Sequence, residues 1–237
     1  MRTTTHLTRR RTIAGALSLA LGASLAVPIA ASADGHEDGP PKFTLTILHN
    51  NDGESGLIPS DVDGVNYGGV ALFQSKVDEL RRESFRPSFD AGEAPQRGNV
   101  LLNSGDNYLA GTEYNASLVN QGLFYDAMAI NRLGYDALAI GNHEFDFGPE
   151  AFARFARHVA PTPLVSANLD YSAEPALAAL AGRRLVKSDV VFENGRRIGI
   201  VGLTTPSLPT ISSPGNVEVL SDLAGIAQTE VDALKAT

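Results

Sequence analysis

From Phe43 onward the chain changes its hydrophobic period several times, and each change marks an element. Phe43-Thr44-Leu45-Thr46-Ile47-Leu48 alternates apolar residues with threonine, which predicts a strand. Val70, Phe73, Val77 and Leu80 recur at spacings of three and four, which predicts a helix with one buried face, opened by Gly68-Gly69. Arg81, Arg82 and Arg86 lie at its end and beyond, where positive charge suits the helix dipole, and read as a solvated face. The run Asn99-Val100-Leu101-Leu102-Asn103 predicts a second strand. Residues 116–133 predict one helix closed by Gly134, and Asp136-Ala137-Leu138-Ala139-Ile140 predicts a third, buried strand. Pro149 sits near the first turn of the next helix, whose buried face is Phe152, Phe155 and Val159. A short strand follows at residues 163–168, then an Ala-rich excursion at 171–182. Residues 185–192 and 197–203 flank Asn194-Gly195, a strong hairpin turn signal. Ser221 or Asp222 caps a last helix with Leu223, Ile226, Val231 and Leu234 on one face. Residues 55–67, 87–98 and 204–216 lack a period and predict loops. Strands alternating with helices, plus one hairpin, predict the α/β class.

Residues 1–33 are a different material. Arg2, Arg9, Arg10 and Arg11 precede a small, apolar run from Ile13 to Ala30, and Ala31-Ser32-Ala33 is a small-x-small cleavage site. This predicts a secretory signal peptide, with a hint of the twin-arginine route, followed by an acidic linker at 34–42. Export to the periplasm or outside the cell follows, with no stable membrane anchor after cleavage. The full chain has 19 basic and 27 acidic residues, so removing the four leader arginines leaves 15 against 27, a formal charge of about −12. No basic stripe remains, which argues against a nucleic-acid surface. Without cysteine, any metal must be held by His, Asn, Asp or Glu, which points to hard or borderline cations.

Candidate chemistry falls just past three predicted strand ends, where α/β proteins build their sites. Asp52 and Glu54 follow the first strand, and both carboxylates can face a cation if the loop turns at Gly53; a solvated acidic turn is the plainer alternative. Gly105-Asp106 follows the second strand. Gly141-Asn142-His143-Glu144-Phe145-Asp146 follows the third and offers a carboxamide, an imidazole and a carboxylate within five positions.

The string Gly141-Asn142-His143-Glu144 resembles the signature of the calcineurin-like metallophosphoesterases, and its continuation through Phe145-Asp146 resembles their 5′-nucleotidase branch. Asp52-Gly53-Glu54 resembles the family's opening Asp-x-His motif, with Glu54 in the His position, and Gly105-Asp106 resembles its second motif. The resemblance implies a four-layer α-β-β-α sandwich and hydrolysis of a phosphate monoester, most simply a nucleoside monophosphate. It implies two divalent cations (Mn, Mg, Zn or Ca), about 3.5–4 Å apart in such sites, with Asp52, Glu54, Asp106 and Asn142 as ligands and Asp106 bridging. His143 would stabilise the transition state or assist the leaving oxygen, and Asp146 would orient His143. The resemblance runs from residue 43 to the end and implies the N-terminal portion of the domain: the family pattern continues with further His ligands, and none of His6, His36, His49, His143 and His158 has that context. A non-catalytic member of the same fold, or a phosphoesterase for cyclic nucleotides or general monoesters, is the alternative.

Overall fold

In the computed structural model the residues described are 43–86, 96–119 and 124–237. The predicted leader and linker lie outside them. The elements run in the order β1 (Phe43–Asn50), a small hairpin β2 (Ser60–Val62) and β3 (Val65–Tyr67), α1 (Val70–Ser84), β4 (Gln96–Asn103), α2 (Thr112–Val119), α3 (Tyr125–Leu133) and β5 (Ala137–Ala139). A three-residue 3₁₀ turn, His143–Phe145, precedes α4 (Gly148–His158), β6 (Leu164–Val165), β7 (Leu169–Asp170), α5 (Pro175–Ala178) and β8 (Leu185–Val186). The hairpin β9 (Ser188–Glu193) and β10 (Arg196–Val201), α6 (Leu208–Ile211), β11 (Glu218–Val219) and α7 (Leu223–Ala236) complete the chain.

Five strands form a parallel sheet in the order β1-β4-β5-β6-β8, as the α/β reading requires. The register matters for function. Asn50 at the end of β1 pairs with Asn103 at the end of β4, and Asn103 pairs with Leu138 of β5, so three successive carboxyl ends lie side by side. Tyr135 Oη donates to Asn50 Oδ1 at 2.8 Å and ties the ends together. The β9–β10 hairpin packs across β4, where Glu193 accepts from the Asn99 amide at 3.0 Å, and α7 covers β10 with Leu234 against Gly199.

The core is aromatic beneath the site. Tyr108, Tyr114, Phe124 and Phe155 are fully buried with ring centroids 4.9–5.9 Å apart. Such pairs add about 0.5–1.5 kcal/mol beyond simple burial.

Several expectations are refined. The single helix predicted at 116–133 is two helices: Phe124 has extended backbone (φ −120°, ψ 104°) and α3 starts afresh after it. The loop predicted at 55–67 holds the β2–β3 hairpin, turned by Asp63 (φ 54°) and Gly64 (φ 78°). The strand predicted at 185–192 serves two sheets, since β8 joins the parallel sheet while β9 pairs with β10. Arg81 is not simply solvated: its guanidinium donates to the carbonyls of Leu133 and Gly134 at 3.0 and 2.6 Å and closes the end of α3. Asp222 is the cap of α7, accepting from Gly225 N at 3.0 Å. Among the described residues no helix is long and apolar enough to cross a membrane.

Candidate active site

Three loops leave the adjacent ends of β1, β4 and β5, and backbone hydrogen bonds lace the first two together. Asp52 N donates to Gly105 O, Glu54 N to Asp106 O and Ser55 N to Asn107 O, at 3.0–3.2 Å. This lacing forces Asp52, Glu54, Ser55 and Asp106 into left-handed backbone, with φ between 44° and 58°. For residues carrying a Cβ, that conformation costs roughly 1–2 kcal/mol each. Four strained non-glycine residues in two touching loops are a concentration seen at functional sites.

The third loop meets the second through two glycines. A Cβ on Gly105 would run into the Gly141 nitrogen, and a Cβ on Gly141 into the Asp106 carboxylate. The contact is fastened by Glu144, a fully buried carboxylate. Its Oε2 accepts from Asp106 N at 3.0 Å and Gly141 N at 2.8 Å, while its Oε1 accepts from Asn107 N at 2.8 Å and Asn107 Nδ2 at 3.0 Å. Burial pushes the Glu144 carboxyl above its usual range, and the hydrogen bonds from Asn107 and Asp106 pull the other way. The Glu144 carbonyl accepts from Tyr108 Oη at 2.6 Å, which links the loop to the aromatic core.

Local geometry explains why His143 and Asp146 meet. A 3₁₀ turn has three residues per turn and aligns positions i and i+3 on one side. Phe145, fully buried against Phe152, pins the turn to the core. His143 and Asp146 therefore both project outward, with Nδ1 of His143 2.6 Å from Oδ2 of Asp146. That hydrogen bond is the largest influence holding the His143 imidazole above its ordinary pKa; burial opposes it, and the charges of Asp146, Asp106 and Glu54 add to it. Ser212 donates to the other Asp146 oxygen, Oδ1, at 2.8 Å.

The two halves of the site are joined at Asp106, whose Oδ1 accepts from the His143 amide at 2.8 Å. Burial pushes the Asp106 carboxyl above its usual range, His143 opposes the rise, and neighbouring Asp52 adds to it. The Asp52 carboxylate therefore lies near enough for its charge to act on Asp106. Asn142, half-buried, stands one residue away on the third loop, and its carbonyl accepts from Phe145 N at 3.0 Å. Glu54 is exposed at the rim, near enough for its charge to act on His143.

Of the predicted site residues, Asp52, Asp106, His143 and Asp146 are brought into one constellation, with Asn142 beside it and Glu54 at its edge. The two carboxylates and the carboxamide are hard oxygen donors, and in type they fit a divalent cation. Among the described residues, however, no group of three or more His, Asp and Glu side chains is drawn together to hold a metal by itself. Next to Asp52 a cavity of about 330 Å³ opens between the strand-end asparagines and the apolar faces of α1 and α3, with Asp126 in its wall. The residues that sequence reasoning did not single out are Glu144, which the signature contains, and Ser212, for which no local signal exists.

No protein-family model matches the chain. The sequence is 37% identical over 201 residues to mouse 5′-nucleotidase, covering 81% of this chain and 32% of that protein. The 5′-nucleotidase precursor from Thermus thermophilus superposes with a TM-score of 0.65 at 34% identity, over 81% of this chain and 34% of its own. The calcineurin-like phosphoesterase YfkN from Bacillus subtilis shares the fold with a TM-score of 0.56 at 20% identity, over 80% of this chain and 57% of its own. The chain therefore spans about one third of the length of the 5′-nucleotidases it matches.

Proposed function

We propose that this chain, which belongs to the 5′-nucleotidase-like branch of the calcineurin-like metallophosphoesterases, is an exported, metal-dependent phosphomonoester hydrolase whose described residues match the N-terminal portion of the metallophosphatase domain. The single observation that carries the proposal is the junction at Asp106. One carboxylate lies within reach of the Asp52 charge and also receives the amide of His143, whose ring is held by Asp146.

In this reading Asp52, Glu54, Asp106 and Asn142 would hold divalent cations, with Asp106 the central carboxylate of the set. When bound, the cations supply Lewis-acid charge to the phosphoryl group and its attacking oxygen. The chain's own residues do the rest. Burial, with the nearby Asp52 charge adding to it, raises the Asp106 carboxyl, and a cation would favour its ionised form. The Asp146 carboxylate accepts Nδ1–H of His143 and leaves Nε2 as the working atom, able to donate to a phosphoryl or leaving-group oxygen. Glu144 fixes the loops on which Asp106 and His143 ride. The substrate class, a nucleoside monophosphate, is taken from relatives that carry the name 5′-nucleotidase. Residues 1–33 would direct the protein out of the cytoplasm before folding of the mature part is complete or, by the twin-arginine route, after it.

A second reading is favoured by two observations: no three-carboxylate or histidine group is drawn together among the described residues, and Glu54 stands in a place usually held by His. It is a protein of the same fold that binds metal weakly and does not turn over. One experiment separates the two. The chain lacking residues 1–33 is assayed for metal content and for Mn- or Mg-dependent phosphate release from a nucleoside monophosphate, beside His143→Ala. The hydrolase reading expects stoichiometric metal and release that falls at least about 10²-fold in the variant. No metal and no release would establish the second reading.

A further inference from the structure

The stretch from residue 204 to 216 reads as a proline-containing loop, yet together with the adjoining Val217 it is fastened at four points around the site. Thr204 is buried; its Oγ1 donates to the Ile140 carbonyl at 2.7 Å, and its amide donates to Asn168 Oδ1 at 2.8 Å. Leu208 is fully buried and accepts from Ser212 N at 3.1 Å, closing α6. Val217 is buried and its amide donates to the Pro214 carbonyl at 3.3 Å. Glu174 accepts from Asn216 N at 2.5 Å. Ser212 stands between these anchors, half-buried, and its hydroxyl reaches Asp146 Oδ1 at 2.8 Å. A hydroxyl on so constrained a backbone limits where the Asp146 carboxylate can rest.

We propose that Ser212 is a positioning residue for the His143–Asp146 pair: by engaging Asp146 Oδ1 it commits Oδ2 to His143 Nδ1 and so sets the tautomer and direction of the imidazole. The carboxylate has two oxygens and two partners, one on each. Without Ser212 the carboxylate is free to rotate about its Cβ–Cγ bond, and either oxygen, or water, can meet the ring. Where water competes with the carboxylate, the ring's preference for carrying the proton on Nδ1 weakens and its direction is less fixed. Residues that orient a working histidine in this way typically change activity by about 10–100-fold when removed. The consequence for turnover rests on the reading of His143 given above; the consequence for the ring does not.

The test uses Ser212→Ala and Ser212→Thr, with Asp146→Asn as a control and thermal midpoints to verify folding. Ring nitrogen shifts of His143 are read by ¹⁵N NMR at a pH where the ring is neutral, and steady-state kinetics with a nucleoside monophosphate and Mn are measured in parallel. The wild type should hold the Nδ1–H tautomer. Ser212→Ala should move the ring toward a tautomer mixture, as Asp146→Asn does, and lower kcat about tenfold at unchanged KM. Ser212→Thr, which keeps the hydroxyl, should restore both. Wild-type ring shifts in Ser212→Ala would overturn the proposal. Altered ring shifts with no turnover in any protein, the wild type included, would leave Ser212 as the positioning residue and overturn the hydrolase reading instead.

Discussion

Glu144 Oε2 accepts the Gly141 amide at 2.8 Å and the Asp106 amide at 3.0 Å, so one buried carboxylate ties the loop after β5 to the loop after β4. Its second oxygen takes both Asn107 donors. Four N–H groups therefore depend on a single side chain. Glu144→Gln keeps the shape but replaces one acceptor by an NH₂ that faces donors. The expected loss is about 2–4 kcal/mol of unfolding free energy, combining two unsatisfied amides with a donor clash. Urea titration measures it, and amide exchange at Asp106 and Gly141 or at Asn107, according to which oxygen is lost, should accelerate in the same variant. An unchanged midpoint would refute the role given to Glu144.

Asp126 is 2% exposed, and among the described residues neither carboxylate oxygen has a hydrogen-bond partner of normal geometry. Burial pushes its carboxyl from 3.8 up to about 6, the nearby Ser55 hydroxyl resisting the rise. The folded state therefore holds a proton that the unfolded chain releases first. Between pH about 4 and 6 the folded form binds more protons, so stability falls as pH rises and then levels off. A shift of this size corresponds to about 3 kcal/mol. Asp126→Asn should match the wild type near pH 4 and exceed its stability by up to that amount at pH 7. Comparing unfolding midpoints of the two proteins from pH 4 to 7 isolates Asp126 from other titrating groups. Parallel pH profiles would contradict the assignment.

Arg81 and Arg82 are adjacent in sequence and different in consequence. Arg81 donates to two carbonyls at the end of α3, while Arg82 is exposed at the end of α1. Charged donors on carbonyls at a helix end contribute about 1–3 kcal/mol. Arg81→Ala should cost an amount in that range by chemical denaturation, and Arg82→Ala less than about 0.5 kcal/mol. Equal effects would mean the α3 cap carries no special weight.

What could be read from the sequence was what local pattern encodes. The order of strands and helices, and the Asn194-Gly195 turn with φ of 49° and 78°, followed from period and turn chemistry. The same turn chemistry at Asp63-Gly64 gives little signal because its two strands are only three residues long and fully exposed, so no buried face repeats along them. The run from Leu185 to Phe192 looked like one strand, since β propensity does not reveal which partner each half will choose. Asp52, Asp106 and His143 were legible because all three follow strand ends, and the parallel register brings those ends together. Ser212 was not, because it lies 66 residues from Asp146 and meets it only through the packing of α6. Glu144 was in plain view within the signature, but its inward direction is set by Phe145 and the 3₁₀ turn, which no spacing rule announces.

Asp52 and Asp106 give the last prediction. Burial and the nearby Asp52 charge disfavour the ionised Asp106 carboxylate, and a divalent cation bound there would offset that cost. A cation that binds only the folded chain, at 100 times its dissociation constant, adds about 2.7 kcal/mol. Manganese should therefore raise the thermal midpoint of the wild type in a concentration-dependent way. Asp106→Asn removes that buried charge, so this variant should start from a higher metal-free stability at neutral pH and show little response to manganese. His143→Ala removes no ligand and should respond like the wild type, which separates loss of metal from loss of the acid–base group. A manganese response of equal size in Asp106→Asn would place the cation elsewhere on the molecule and remove Asp106 from the metal site.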